Sequence, residues 1–240
     1  MIKAIEEKYD KKQIVISTHS SFVANKLGLE NLLLLNDHKI TKITELSSTD
    51  FFKKISGYDT LRLILCKKAI LVEGDSDELV VQKAYMKQHN NHLPIENGVD
   101  VISVGTSFLR FLELAVALNL KVDVVTDNDG DISAIEKKYA NYIKENKKNN
   151  IKICYDEVVD TGTLKISNTP YNYNTLEPKL LKANGNNLVL FNEIVGSNFK
   201  TIEELQKYMK HHKTETALAV FETDKDVVFP DYIMEAVKDE

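Results

Sequence analysis

The sequence predicts an α/β fold, a mainly parallel sheet with helices on both faces, preceded by a smaller α/β piece. Three observations carry this. From Lys67 onward, short apolar runs alternate regularly with amphipathic stretches, as in strand–helix–strand crossovers covered on both sides. Two of those runs end on acidic residues, in "KAILVEG" and "KVDVVTDNDGD". In open parallel sheets, functional side chains gather beyond the C-terminal strand ends. With 240 residues, 43% of them hydrophobic, the chain can bury one full core with a smaller piece beside it.

The elements follow in order. Residues 2–9, "IKAIEEKY", look like a helix tail. A short buried strand is expected in "QIVIST" (13–18), a helix in "SSFVANKLG" (20–28), and strands in "NLLLLND" (31–37) and "KITKITEL" (39–46). Residues 51–66 contain Gly57 and read as a connection. The regular part then begins. Strand 68–74 leads to helix 76–89, strand 99–105 to helix 107–119, and strand 121–127 to a helix through 132–146, followed by a strand in "IKICYDE" (151–157). Residues 161–180 are polar and turn-rich. Two helices close the chain: one starts at Thr201, where "TIEE" forms a capping box with Glu204, and one lies in "TETALAVFE" (214–222).

Composition narrows the function. The net charge is −5, so no global basic field draws in nucleic acid; a local basic strip or bound cations would have to do that work. Cys66 and Cys154 show no ligand spacing and read as reduced, buried thiols of a cytoplasmic protein. The charged N-terminus lacks a signal-peptide core. No apolar run approaches the roughly 20 residues that span a membrane.

"AILVEGDSDELV" (69–80) crowds carboxylates at the end of an apolar strand, where they repel one another and lose hydration. Asp75 and Glu78 fit a D-x-x-E helix cap. That leaves Glu73 unexplained, with Asp77 one turn beyond it. "TDNDGD" (126–131) is the second cluster. It is either a solvated turn or, through Asp127 and Asp129, the other half of an all-oxygen site for Mg²⁺ or Mn²⁺ shared with Glu73. An EF-hand is not expected, because Lys138 stands where the loop needs its closing Glu.

"LVEGDSDELV" followed by a β–α unit and "VVTDNDG" resembles the Toprim domain, a Rossmann-like fold of topoisomerases, primases and the OLD (overcoming lysogenisation defect) nucleases. Two further segments resemble OLD nucleases in particular: "NTLEPKLL" nominates Glu177 and "KTETA" nominates Lys213. The resemblance spans residues 67–240. It implies a divalent-metal-dependent DNA endonuclease, active in phage defence or DNA repair. Glu73, Asp77, Asp127, Asp129 and Glu177 would hold two Mg²⁺ or Mn²⁺ ions, and Glu73 and Lys213 would be catalytic. Taken without the resemblance, Glu177 reads as an ordinary helix-start acid ahead of Pro178 and Lys213 as one more surface lysine.

"QIVISTHSSFVANKL" (13–27) resembles the switch-histidine strand of ABC-type ATPases, with His19 as the γ-phosphate sensor. OLD nucleases place such an ATPase ahead of Toprim. Since no G-x-x-x-x-G-K-[ST] loop is present, residues 1–50 are expected to be the ATPase remnant, residues 51–66 a connection and residues 67–240 the nuclease domain. ATP would matter only in a longer protein or with an ATPase or homo-oligomeric partner. The competing expectation is a Toprim-like binding or regulatory module that needs such a partner and cuts poorly. Phosphotransfer and topoisomerase readings fit less well.

Overall fold

The computed structural model describes residues 13–18, 20, 23, 24, 26, 32–36, 39–42 and 58–238. His19, Gly57 and the expected N-terminal helix tail lie outside the described residues. Gln13–Thr18, expected as a buried strand, is not in a strand, and Ile14, Val15 and Ile16 are exposed. No described strand pairs with this segment, so its amides lack the ladder that would make it one. Val23, Ala24 and Lys26 are helical, as expected. An antiparallel hairpin of β1 (Leu33–Asn36) and β2 (Lys39–Lys42) follows.

The central sheet has four parallel strands: β3 (Lys68–Val72), β4 (Val99–Ser103), β5 (Lys121–Val125) and β6 (Ile151–Cys154), in the order β4-β3-β5-β6. Each falls within a run the sequence marked. Alternate residues divide the strands between two cores. Ile70, Val72, Val101, Val125 and Cys154 face one side, and Ala69, Leu71, Ile102, Val122, Val124 and Ile151 the other. Both faces are apolar because both are covered by helices.

The second core is closed by α1 (Tyr58–Leu65), α3 (Phe108–Leu118) and the region of α4 (Ile132–Lys138), through Leu63, Leu112 and Tyr139. Helix α1 occupies part of the segment expected as a connection. Its Leu61 and Leu63 are fully buried, and Arg62 bridges Asp100 at 2.8 Å and Glu78 at 3.2 Å. The first core is closed by α2 (Asp75–Gln88) and by five helices of the C-terminal part: α5 (Leu176–Ala183), α6 (Leu188–Val195), α7 (Ile202–His211), α8 (Lys213–Glu222) and α9 (Asp231–Ala236).

Three of those five, α5, α6 and α9, were not expected from sequence. They are short, at six to eight residues, and such helices owe their stability to packing rather than to propensity. The small hairpin of β7 (Lys165–Ile166) and β8 (Thr169–Pro170) sits in the turn-rich stretch. The helix expected through 146 stops at Lys138 and resumes only as a 3₁₀ turn, Lys144–Asn146. At the N-terminal end of the sheet, Lys68 pairs with buried Asp123 at 2.8 Å and donates to the Ala236 carbonyl. That ties the C-terminal helix to two strands.

No described helix is long and apolar enough to cross a membrane. Cys66 and Cys154 are both free thiols, and burial pushes each up to about 12.

Candidate metal centre

The chain leaves β3, passes to β4 on one side, then crosses to β5 on the other. That reversal opens a crevice between the C-terminal ends of β3 and β5, where ligands of open α/β sheets bind. Glu73 follows β3 and Asp127 follows β5, so the fold puts both expected acids at the switch point.

Glu73 is anchored by its backbone. Its carbonyl accepts from the Gly105 amide at 3.0 Å and from Ser103 Oγ at 3.3 Å, while the side chain is exposed. Helix α2 then begins with Gly74, not Asp75, as its N-cap. This corrects the expected capping pair by one residue. Asp77 supplies the cap, its Oδ2 accepting from the Gly74 amide at 3.0 Å, while Glu78 pairs instead with Arg62 and Asp75 is exposed. Asp77 serves as cap and candidate ligand together, because the bond at Oδ2 leaves Oδ1 for the crevice.

Asp127 is fixed from the other side of the cluster. The amide of Leu176, the first residue of α5, donates to its Oδ2 at 3.2 Å. Asp129 stands on the turn that follows, with a positive φ of 48°, and Asn172 Nδ2 donates to its Oδ1 at 3.1 Å. Glu177, in the first turn of α5, is only 5% exposed. It accepts from Thr175 Oγ1 at 3.2 Å and meets Lys213 Nζ, at the start of α8, at 3.4 Å.

The charges of these groups reach one another. Burial lifts Asp77 to about 6, and Glu177 and Glu73 add to that, against the Gly74 N–H and Lys213. Burial also holds Asp127 well above the ordinary carboxylate value, reinforced by Asp77, Glu177 and Asp129. Burial works to lower the Lys213 ammonium, yet Glu177, Asp127 and Asp77 outweigh it and raise it. The structure therefore brings Glu73, Asp77, Asp127, Asp129, Glu177 and Lys213 into one electrostatic neighbourhood. Beneath them the phenol of buried Tyr232 is pushed up by burial and by Asp127, Asp77, Asp156 and Glu177.

This excess of negative charge has a pH signature. Asp77 binds its proton more tightly in the folded chain, about 6 against 3.8, so between those values the native state holds more protons than the unfolded one. Stability from this group is full below pH ~4 and lost as pH rises through ~6. Asp77→Asn keeps the acceptor for Gly74 and removes the charge. The metal-free variant should gain at most about 3 kcal/mol over the parent above pH 7 and nothing at pH 4; denaturant melts at both pH values check this.

Among the described residues, no three His, Cys, Asp or Glu side chains converge closely enough to hold a metal ion as they stand. In donor chemistry the cluster nevertheless fits hard divalent cations, being all-oxygen and short of positive charge. Sequence reading missed the groups that hold the acids in place: Asn128, Asn172, Asn174 and Lys179. Asparagines in a turn-rich run look like ordinary turn formers; the repeated Asn in "NYN" was the available signal.

Residues 64–129 match the model for "Overcoming lysogenization defect protein-like, TOPRIM domain"; Glu177 and Lys213 lie beyond the matched stretch. No curated protein matches the chain. Among solved structures, the C-terminal region of the Burkholderia pseudomallei OLD protein aligns over 72% of this chain and 95% of its own, at 19% identity and a TM-score of 0.50. The C-terminal region of the Xanthomonas campestris pv. campestris OLD protein covers 73% and 92%, at 19% identity and a TM-score of 0.46. Residues 64–129 are thus similar to an OLD-like TOPRIM domain, and the parallel α/β unit shares the fold of the Burkholderia C-terminal region.

Proposed function

We propose that this Toprim nuclease-type module is a divalent-metal-dependent DNA endonuclease. The observation that supports the reading most is electrostatic: Asp77 is pushed up by burial and then by Glu177 and Glu73, Asp127 by burial and then by Asp77, Glu177 and Asp129, and Lys213 pairs with Glu177. Asp77, Asp127, Asp129 and Glu177, with Glu73 at the rim, would hold Mg²⁺ or Mn²⁺. Divalent cations there would neutralise charge at the scissile phosphate and lower the pKa of a bound water.

The chain's own groups supply the rest. The exposed Glu73 carboxylate accepts the proton of the attacking water. Lys213, half-exposed at the head of α8, offsets charge as the phosphodiester breaks. Burial of Asp127 and Glu177 limits water around the acids and strengthens their hold on a cation. In domain terms, residues 67–240 would form the nuclease and residues 1–50 the end of an ABC-type ATPase. ATP hydrolysis would then belong to a preceding domain or a partner, and His19, which resembles a switch histidine, would be structural in this chain.

The test is cleavage of supercoiled plasmid in Mg²⁺, Mn²⁺ and Ca²⁺. Nicked or linear product with Mg²⁺ or Mn²⁺ is the expected result. Tight DNA binding with no product in any of the three would instead favour the binding-module reading. Metal should also stabilise the folded chain, since it binds N and not U: at a hundredfold excess over Kd the gain is about 2.7 kcal/mol. A melting temperature unmoved by saturating Mg²⁺ or Mn²⁺ would count against a metal centre here.

A further inference from the structure

We infer that Asn128, Asn172 and Asn174 are positioning residues, a neutral amide frame that sets Asp127, Asp129 and Glu177 for cation binding. This rests on the metal reading above.

The frame starts at the turn after β5. Asp131 donates its amide to the Asn128 carbonyl at 2.8 Å, closing a turn whose two central residues, Asp129 and Gly130, have φ of 48° and 85°. Asn128 is 1% exposed. Its Oδ1 accepts from the Gly130 amide at 2.9 Å, and its Nδ2 donates to the carbonyls of Asp156 at 2.6 Å and Val158 at 3.1 Å. The residue between the two acids of the D-x-D motif thus locks their turn to the end of the neighbouring strand.

Asn174, 5% exposed, grips the same neighbouring loop at two points. Its Oδ1 accepts from the Asp160 amide at 2.7 Å and its Nδ2 donates to the Asp160 carbonyl at 2.9 Å. Asn172 joins the halves. Its Oδ1 accepts from the Asn174 amide at 2.9 Å, and its Nδ2 donates to Asp129 Oδ1 at 3.1 Å. Gly130 fits beneath: a Cβ there would stand 3.3 Å from Asn174 Nδ2, and its left-handed φ already favours glycine. Two residues after Asn174, the Leu176 amide holds Asp127, and Glu177 follows.

Only a primary amide performs these roles. Each of the three side chains uses an acceptor and a donor at once, which a carboxylate or hydrocarbon of the same size does not offer. An amide also adds no charge to a cluster already overloaded with it. Groups that orient metal ligands typically control affinity by about 10–100-fold.

The test uses the full chain and Mn²⁺ as the probe, read by titration calorimetry and by the metal dependence of plasmid cleavage. Asn172 is only half-buried, so Asn172→Ala should fold like the parent; Asn128→Ala is the more severe second variant. The control is Asn150→Ala, which loses two comparable bonds, to Ala115 and Leu120, at the opposite end of the sheet. Expected is a rise of about tenfold or more in half-saturating Mn²⁺ for Asn172→Ala, with no change for Asn150→Ala. Parent-like Mn²⁺ binding in Asn172→Ala overturns the inference, as does equal weakening in Asn150→Ala. A parent protein that takes up no Mn²⁺ overturns the metal reading itself, and is told apart because it shows without any substitution.

Discussion

Purified Glu73→Ala and Asp127→Ala proteins are expected to lose metal-dependent DNA cleavage by on the order of 10³-fold. The size follows from the several kcal/mol of charge stabilisation that a metal centre supplies to phosphoryl chemistry, at about 1.4 kcal/mol per tenfold. The two variants should fail differently. Asp127 is partly buried among other carboxylates, so its removal should weaken metal uptake and also raise the metal-free melting temperature by relieving repulsion. Glu73 is exposed, so its loss should leave the metal-free melt nearly unchanged. Initial rates on supercoiled plasmid, paired with melts, separate the two. Parent-like cleavage by both variants would remove these residues from the chemistry.

The second large effect is on stability. Lys179 is 3% exposed and its ammonium meets Asp156 at 2.6 Å, Asp160 at 2.8 Å and the Val158 carbonyl at 2.7 Å. Burial raises Asp160, but Lys179 and Lys182 outweigh it and hold that carboxyl below its ordinary value. Lys179→Met keeps the bulk, strips Asp156 of its cation and leaves Asp160 with Lys182 alone. Breaking a buried pair this way costs about 3–5 kcal/mol, or roughly 10 °C in melting temperature for a domain of this size. Lys182 makes only an exposed contact with Asp160, so Lys182→Met should cost less than about 1 kcal/mol. Similar small losses in both variants would show that the Lys179 cluster is not structural. The same clamp holds the loop gripped by Asn128 and Asn174, so the Lys179 variant should weaken Mn²⁺ binding as well.

The strands β3 to β6 and the helices α2 and α3 were legible because their side chains repeat with the period of the element and both strand faces are buried. Glu73 and the Asp127–Asp129 pair were legible for a related reason: an acid at the end of an apolar strand has no role in the core. The helices α5, α6 and α9 were not, since each is only six to eight residues long and carries no sustained periodicity. The cap of α2 was misplaced by one residue because "GDSDE" offers two acids at capping distance, and only the backbone decides between them. Asn128, Asn172 and Asn174 were invisible in kind. What matters about them is which distant acceptor each amide meets: the carbonyls of Asp156, Val158 and Asp160, and the Asp129 carboxylate.

The acids and the lysine come from four stretches of chain: 73–77, 127–129, 177 and 213. Contacts so distant in sequence form late in folding, because loop closure must be met before they repay it. During synthesis, which runs from the N-terminus, Glu73 and Asp127 emerge long before Glu177 and Lys213. A nascent or partly folded chain therefore holds an incomplete set. The cluster becomes whole only when α5 and α8 dock, so the order in which the chain is made keeps its acids apart from Glu177 and Lys213 until late.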